Sequence, residues 1–152
     1  MADNADLIKL YSGRILALAA DIPHLSRLEG PQISVKRRSP LCGSTVIVDL
    51  DMQDGRVSRF GQDVKACALG QAAAAILGRV VLGRTAAELA KARDQLRAML
   101  TADGPVPDAP FDGFEVLLPA RDYRNRHASI LLALDAAAEA SASVAAPKAN
   151  GG

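Results

Sequence analysis

An α+β domain, with a small three-stranded antiparallel sheet packed by about four to five helices, is expected from three observations. Hydrophobic residues make up 49% of the 152-residue chain but aromatics only 3%, and 29 positions are alanine, so an aliphatic core of closely packed helices is expected. Strand-like alternation surrounds an Asp54-Gly55 pair in the middle of the chain. Segments with helical spacing lie on both sides of it. A chain of this length buries roughly 70% of its unfolded surface in one core, so residues 1–140 are read as one domain. The Ala, Ser, Pro, Lys and Gly composition of residues 141–152 is read as a disordered tail.

Taken in order, Asn4 or Asp6 caps a first helix whose Leu7, Tyr11, Ile15 and Leu18 form one apolar stripe ending before Pro23. Residues 33–38 alternate briefly. Residues 45–52 alternate well, with Val46, Val48, Leu50 and Met52 on one face and Asp49 and Asp51 on the other. Asp54-Gly55 suits a tight turn with positive φ, and a third strand follows from about Arg56 to Val64. Residues 67–82 are nearly all small and aliphatic, as in a buried helix, with Gly83 as its stop. Thr85-Ala86-Ala87-Glu88 is a capping box, after which Leu89, Leu96 and Leu100 continue an apolar face beside Arg93 and Arg97. Residues 101–110, with three prolines and a glycine, read as a loop. Residues 111–118 are a short apolar segment of undecided state, broken by Pro119 before a last helix bearing Ile130, Leu131 and Leu134.

Charge is nearly balanced, at 18 basic against 17 acidic residues, so no global field draws nucleic acid or an anionic membrane. Neither the Lys36-Arg37-Arg38 run nor the Arg121 to Arg126 cluster has the interleaved aromatics that stack on single-stranded bases. Each reads as a solvated face, with a partner-binding edge as the alternative for the first and an acidic partner for the second. Residues 1–6 lack a basic and apolar leader, and no apolar run reaches the length of a membrane span. A cytoplasmic protein with reduced thiols is expected.

The only two cysteines and one histidine carry the chemistry. Cys42 precedes Gly43 at the mouth of a strand, where glycine lets the backbone turn sharply and expose a thiol. Cys67 falls at the start of a helix, where backbone amides and the helix dipole favour thiolate. His127 sits between Arg126 and Ala128 near the start of the last helix. Thiolate and neutral imidazole together bind zinc or iron. The alternatives are packing as small apolar groups for the cysteines and a solvated surface imidazole for His127.

Ser39-Pro40-Leu41-Cys42-Gly43-Ser44, the Asp54-Gly55 hairpin and Ala66-Cys67-Ala68-Leu69-Gly70-Gln71-Ala72 together resemble the N-terminal blocks of the NifU/IscU/SufU family of iron-sulfur cluster assembly scaffolds. Leu118-Pro119-Ala120-Arg121 and Arg126-His127-Ala128-Ser129-Ile130-Leu131 look like its proline motif and last ligand segment, with a few extra residues between them. The resemblance spans roughly Leu7 to Ala140. It implies an IscU/SufE-like α+β fold with ligands gathered at one end and no chemistry beyond cluster assembly and transfer. Cys42 and Cys67 match the first two ligand cysteines, and His127 matches the histidine before the third. Ala128 stands where that third cysteine is expected, and Ser44 where an aspartate normally follows the Cys-Gly pair.

The function implied is assembly or carriage of an iron-sulfur cluster, or binding of iron or zinc, through Cys42, Cys67 and His127. The partners implied are a cysteine desulfurase and cluster-recipient proteins. Three ligands leave one position for Ser44, water, an exogenous thiol or a second chain. The alternative is a degenerate paralogue that binds no cluster and acts as an interaction subunit or regulator in a larger assembly. An enzyme with a Cys67-His127 nucleophilic pair is the remaining class, and no orienting carboxylate is evident for it.

Overall fold

The alternation around Asp54-Gly55 forms an antiparallel sheet of order β1-β2-β3, made of β1 Ile33–Arg38, β2 Thr45–Gln53 and β3 Arg56–Lys65. The computed structural model describes residues 12–40 and 43–145. Asp54 and Gly55 both take positive φ, +54° and +78°, the backbone that the tight β2–β3 turn needs. Val46, Val48, Leu50 and Met52 point into the core, as the alternation requires. Register slips by one residue where Asp51 faces Arg59 but Met52 faces Val57, a β-bulge that leaves Ser58 unopposed.

Four α-helices are described: α1 Gly13–Ala19, α2 Ala68–Val80, α3 Ala86–Thr101 and α4 Arg124–Ala145. The helix that carries Ile15 and Leu18 starts later than its apolar stripe suggests. Ser12 has extended backbone and caps it, its hydroxyl accepting from the Ile15 N–H at 3.4 Å. Leu7 and Tyr11, the caps Asn4 and Asp6, and Cys42 lie outside the described residues.

The capping box of α3 is complete: the Glu88 N–H donates to Thr85 Oγ1, and the Thr85 N–H donates back to Glu88 Oε1. The segment of undecided state is a 3-10 helix over Phe111–Asp122. Its buried residues Phe111, Phe114, Leu117 and Ala120 recur every third position, which is the 3-10 repeat and explains a length uncommon for that conformation. Pro119 does not break it. The φ that its ring fixes, about −65°, lies within the 3-10 range, and the break falls at Tyr123, where φ is −114° and ψ is 76°.

Helix α4 packs against β1, β2, α2, α3 and the 3-10 segment. By length and composition it is the one described helix that matches a membrane span, contrary to the expectation that no apolar run would do so. Within this fold its apolar residues, from Ile130 to Ala140, are core. It also continues to Ala145 with Ser141 fully buried, so the ordered domain extends past residue 140 into the stretch expected as tail. The buried Ser141 hydroxyl is satisfied by donating to the Ala138 carbonyl, and its alanine neighbours favour helix.

The loop between α1 and β1 crosses the outer face of the sheet and meets the β3 edge. Gln62 N–H donates to His24 O, and Gln62 Nε2 donates to Pro23 O and to Ala74 O. Further along β3, Val57 exchanges backbone hydrogen bonds with Gly83 and Arg84 just after α2. This edge is therefore occupied over much of its length, which blunts strand-to-strand aggregation there.

Candidate functional site

The site is set by strand register. Arg38 pairs with Thr45, and Thr45 pairs with Lys65, so the β1–β2 connection and the β3–α2 junction emerge at one end of the sheet. Ser44 immediately precedes the first of these partners and Cys67 follows the last by two residues. In the β1–β2 connection, Ser39 N–H donates to Ser44 O and Gly43 N–H donates to Ser39 O, both at 2.8 Å. Gly43 supplies the positive φ, +71°, at the turn. Cys42, the residue before it, lies outside the described residues.

Cys67 is the N-cap of α2 but makes no capping bond with its side chain, so the sulfur is not spent on the helix. The residue is partly exposed. It stands at the N-terminal, positive end of a 13-residue helix. Cys67 Sγ lies 3.5 Å from Ser129 Oγ, and Ser129 Oγ lies 3.1 Å from Ser44 Oγ. Both serines are buried. A Cβ at Gly70, on the first turn of α2, would stand 2.6 Å from Ser129 Oγ and 3.1 Å from Ser129 O. Glycine there lets α2 and α4 approach closely enough for Ser129 to reach Cys67.

His127 is 8% exposed, not the solvated imidazole that its arginine-rich surroundings suggested. Its Nε2 lies 2.9 Å from Ala120 O and 3.1 Å from Arg121 O, at the end of the 3-10 segment. Carbonyl oxygens only accept, so Nε2 carries the hydrogen and, in the neutral ring, Nδ1 keeps its lone pair. This is the tautomer arrangement of many metal-ligating histidines, in which the second nitrogen donates to a backbone carbonyl. Yet His127 and Ser129 are two residues apart on α4, about 200° around the helix. Cys67 touches the Ser129 side, whereas His127 lines a surface pocket with Leu100, Thr101, Asp103, Arg121 and Asp122. Among the described residues no three His, Cys, Asp or Glu side chains are grouped to hold a metal.

Arg121, part of the cluster read as a solvated face, is engaged with the protein. It donates from Nε to Met99 O at 2.7 Å and from Nη2 to Gly104 O at 3.0 Å, tying down the C-terminal end of α3. Ser129 is the site residue that motif reading passed over. The signal for it is a hydroxyl inside the otherwise apolar run Ala128-Ser129-Ile130-Leu131-Leu132.

No family model matches the chain, and no curated protein does. Solved structures do. The N-terminal part of a nitrogen-fixing NifU-like protein from Brucella abortus is 42% identical, with a TM-score of 0.88 over 93% of this chain and 99% of that one. A protein described as a candidate iron-sulfur cluster assembly scaffold for the SUF system, from the thermophile Fervidobacterium islandicum AW-1, is 16% identical, with a TM-score of 0.77 over 88% and 97% of the two chains. A hypothetical protein of known crystal structure is 18% identical with a TM-score of 0.74, over 87% of this chain and 96% of that one. The last two likenesses concern the fold.

Proposed function

Because this chain belongs to the NifU-like N-terminal family, on 42% identity across nearly its whole length, we propose that it is a scaffold on which an iron-sulfur cluster is assembled or carried. The cluster is cargo, and the reading assigns the chain no bond-making step of its own. The observation that carries it is Cys67: a partly exposed thiol at a helix N-terminus whose sulfur is left free of capping duty. Thiolates are the ligands that hold iron-sulfur clusters.

Cys42 is the second thiolate. It precedes Ser44 by two residues in the sequence. His127 is the third ligand, through Nδ1, since Nε2 is committed to the Ala120 and Arg121 carbonyls. Ala128 contributes a methyl, so one or more positions fall to an outside thiol, water or a second chain. A cysteine desulfurase and cluster-recipient proteins are the partners this reading calls for.

A second reading, an interaction subunit without a cluster, is favoured by the placement of His127 across α4 from the side that meets Cys67. Anaerobic purification with iron and acid-labile sulfide analysis separates the two. The scaffold reading expects iron and sulfide in the wild-type chain, and a drop of about tenfold or more in Cys42→Ser and in Cys67→Ser. None in any of the three would sink it and leave the interaction subunit, whereas equal content in all three would overturn Cys42 and Cys67 as the ligands.

A further inference from the structure

Ser129 places a hydroxyl, 1% exposed, in the apolar run of α4. Alanine would fit the run as well, and a buried hydroxyl costs free energy unless it is partnered. Its partners are both at the site: Cys67 Sγ at 3.5 Å and Ser44 Oγ at 3.1 Å. Gly70 keeps the room it occupies, since any side chain there would press on Ser129 Oγ.

We propose that Ser129 is a positioning residue for Cys67, aiming its sulfur by a hydrogen bond that Ser44 reinforces from behind. The polarity of the chain follows from the chemistry of sulfur. A thiolate or metal-bound cysteine has lone pairs and no hydrogen, so Ser129 must donate to it, and Ser129 Oγ then accepts from the Ser44 hydroxyl. Bonds aligned in this way strengthen one another in a buried setting. One sulfur is thus held at the mouth of α2 by two serines drawn from β2's leading edge and from α4. With alanine at 128, where a thiolate would otherwise share the cargo, the orientation of each remaining sulfur matters more to the site. The ligand part of this inference rests on the scaffold reading; the orientation of the Cys67 side chain does not.

The full-length chain is compared with Ser129→Ala and Ser44→Ala, each matched to wild type by circular dichroism. In the metal-free protein, three-bond couplings about χ1 of Cys67 are expected to report one rotamer in wild type and averaging in Ser129→Ala. With cobalt(II) as the probe, the sulfur-to-cobalt charge-transfer band is expected to move to longer wavelength in Ser129→Ala, because sulfur loses the bond that stabilises its lone pair. Cobalt affinity should fall about tenfold. Ser44→Ala leaves Ser129 in place and removes the donor behind it, so a smaller shift in the same direction is expected, and this variant decides the matter should Ser129→Ala fail to fold. A single Cys67 rotamer in Ser129→Ala, or wild-type band positions in both variants, overturns the proposal. A wild-type chain with no cobalt band, or with one that survives Cys67→Ser, removes the scaffold reading instead, and the rotamer measurement then decides the positioning by itself.

Discussion

Asp49 shows how much one buried carboxylate organises. Alternation along β2 places it opposite the core face, yet it is fully buried, because the α1–β1 loop folds over it. Arg27 donates from Nε at 2.6 Å and from Nη2 at 3.1 Å, the Leu28 N–H donates at 3.0 Å, and Ser34 Oγ also donates. Burial pushes the Asp49 carboxyl up, but hydrogen bonds from Arg27, Ser34 and Leu28, with the Arg27 charge, outweigh it and hold the group below the usual carboxylate range. A folded-state value below the unfolded one adds stability that is complete above about pH 4 and is lost as pH falls through the depressed value. Asp49→Asn should therefore lower unfolding free energy at pH 7 by about 2 to 4 kcal/mol and flatten the acid limb of stability against pH, read by urea titrations between pH 7 and 2. An acid limb parallel to that of wild type would show that Asp49 does not set it.

Helix ends and helix contacts differ in how visible they are along the chain. The Thr85-Glu88 box is a local pattern, and the structure completes it with both bonds. Thr85→Ala should cost about 1 kcal/mol by urea unfolding, with no change in metal content. The close approach of α2 and α4 is not a local pattern. Gly70→Ala gains roughly 1 kcal/mol of helix propensity, but its Cβ would stand 2.6 Å from Ser129 Oγ and 2.8 Å from Ala66 Cβ. Net destabilisation of about 1 to 2 kcal/mol is expected, with displacement of Ser129 from Cys67. A more stable Gly70→Ala protein would mean that α2 and α4 have slack at this crossing. The 3-10 segment falls between these cases: Phe111, Phe114, Leu117 and Ala120 are legible as a period of three, but only packing against α2 and α3 makes that period worth adopting.

The molecule is held together by α4. It touches two strands, two helices and the 3-10 segment, so the helical layer and the sheet share one core through it. Leu134, 1% exposed, lies within that core. Leu134→Ala should destabilise by about 2 to 5 kcal/mol and shift a single cooperative transition, followed in parallel by far-ultraviolet dichroism and tyrosine fluorescence. Separate transitions for the two probes would show that the layers unfold as independent units. The same helix carries Ser129 toward Cys67 and His127 toward the 3-10 segment, so its packing and the geometry of the site are one constraint.

The three strands, their turn and the α3 cap could be read from the chain alone because each depends on neighbours a few residues apart: a period of two, a glycine with positive φ, a serine or threonine three residues before a glutamate. Folding in three dimensions was needed to bury Asp49, to turn Nε2 of His127 onto two carbonyls, and to bring Ser44, Cys67 and Ser129 within hydrogen-bonding distance. Those contacts join residues from separate elements, and which hydroxyl meets which sulfur depends on strand register and helix approach, neither of which leaves a repeat along the sequence.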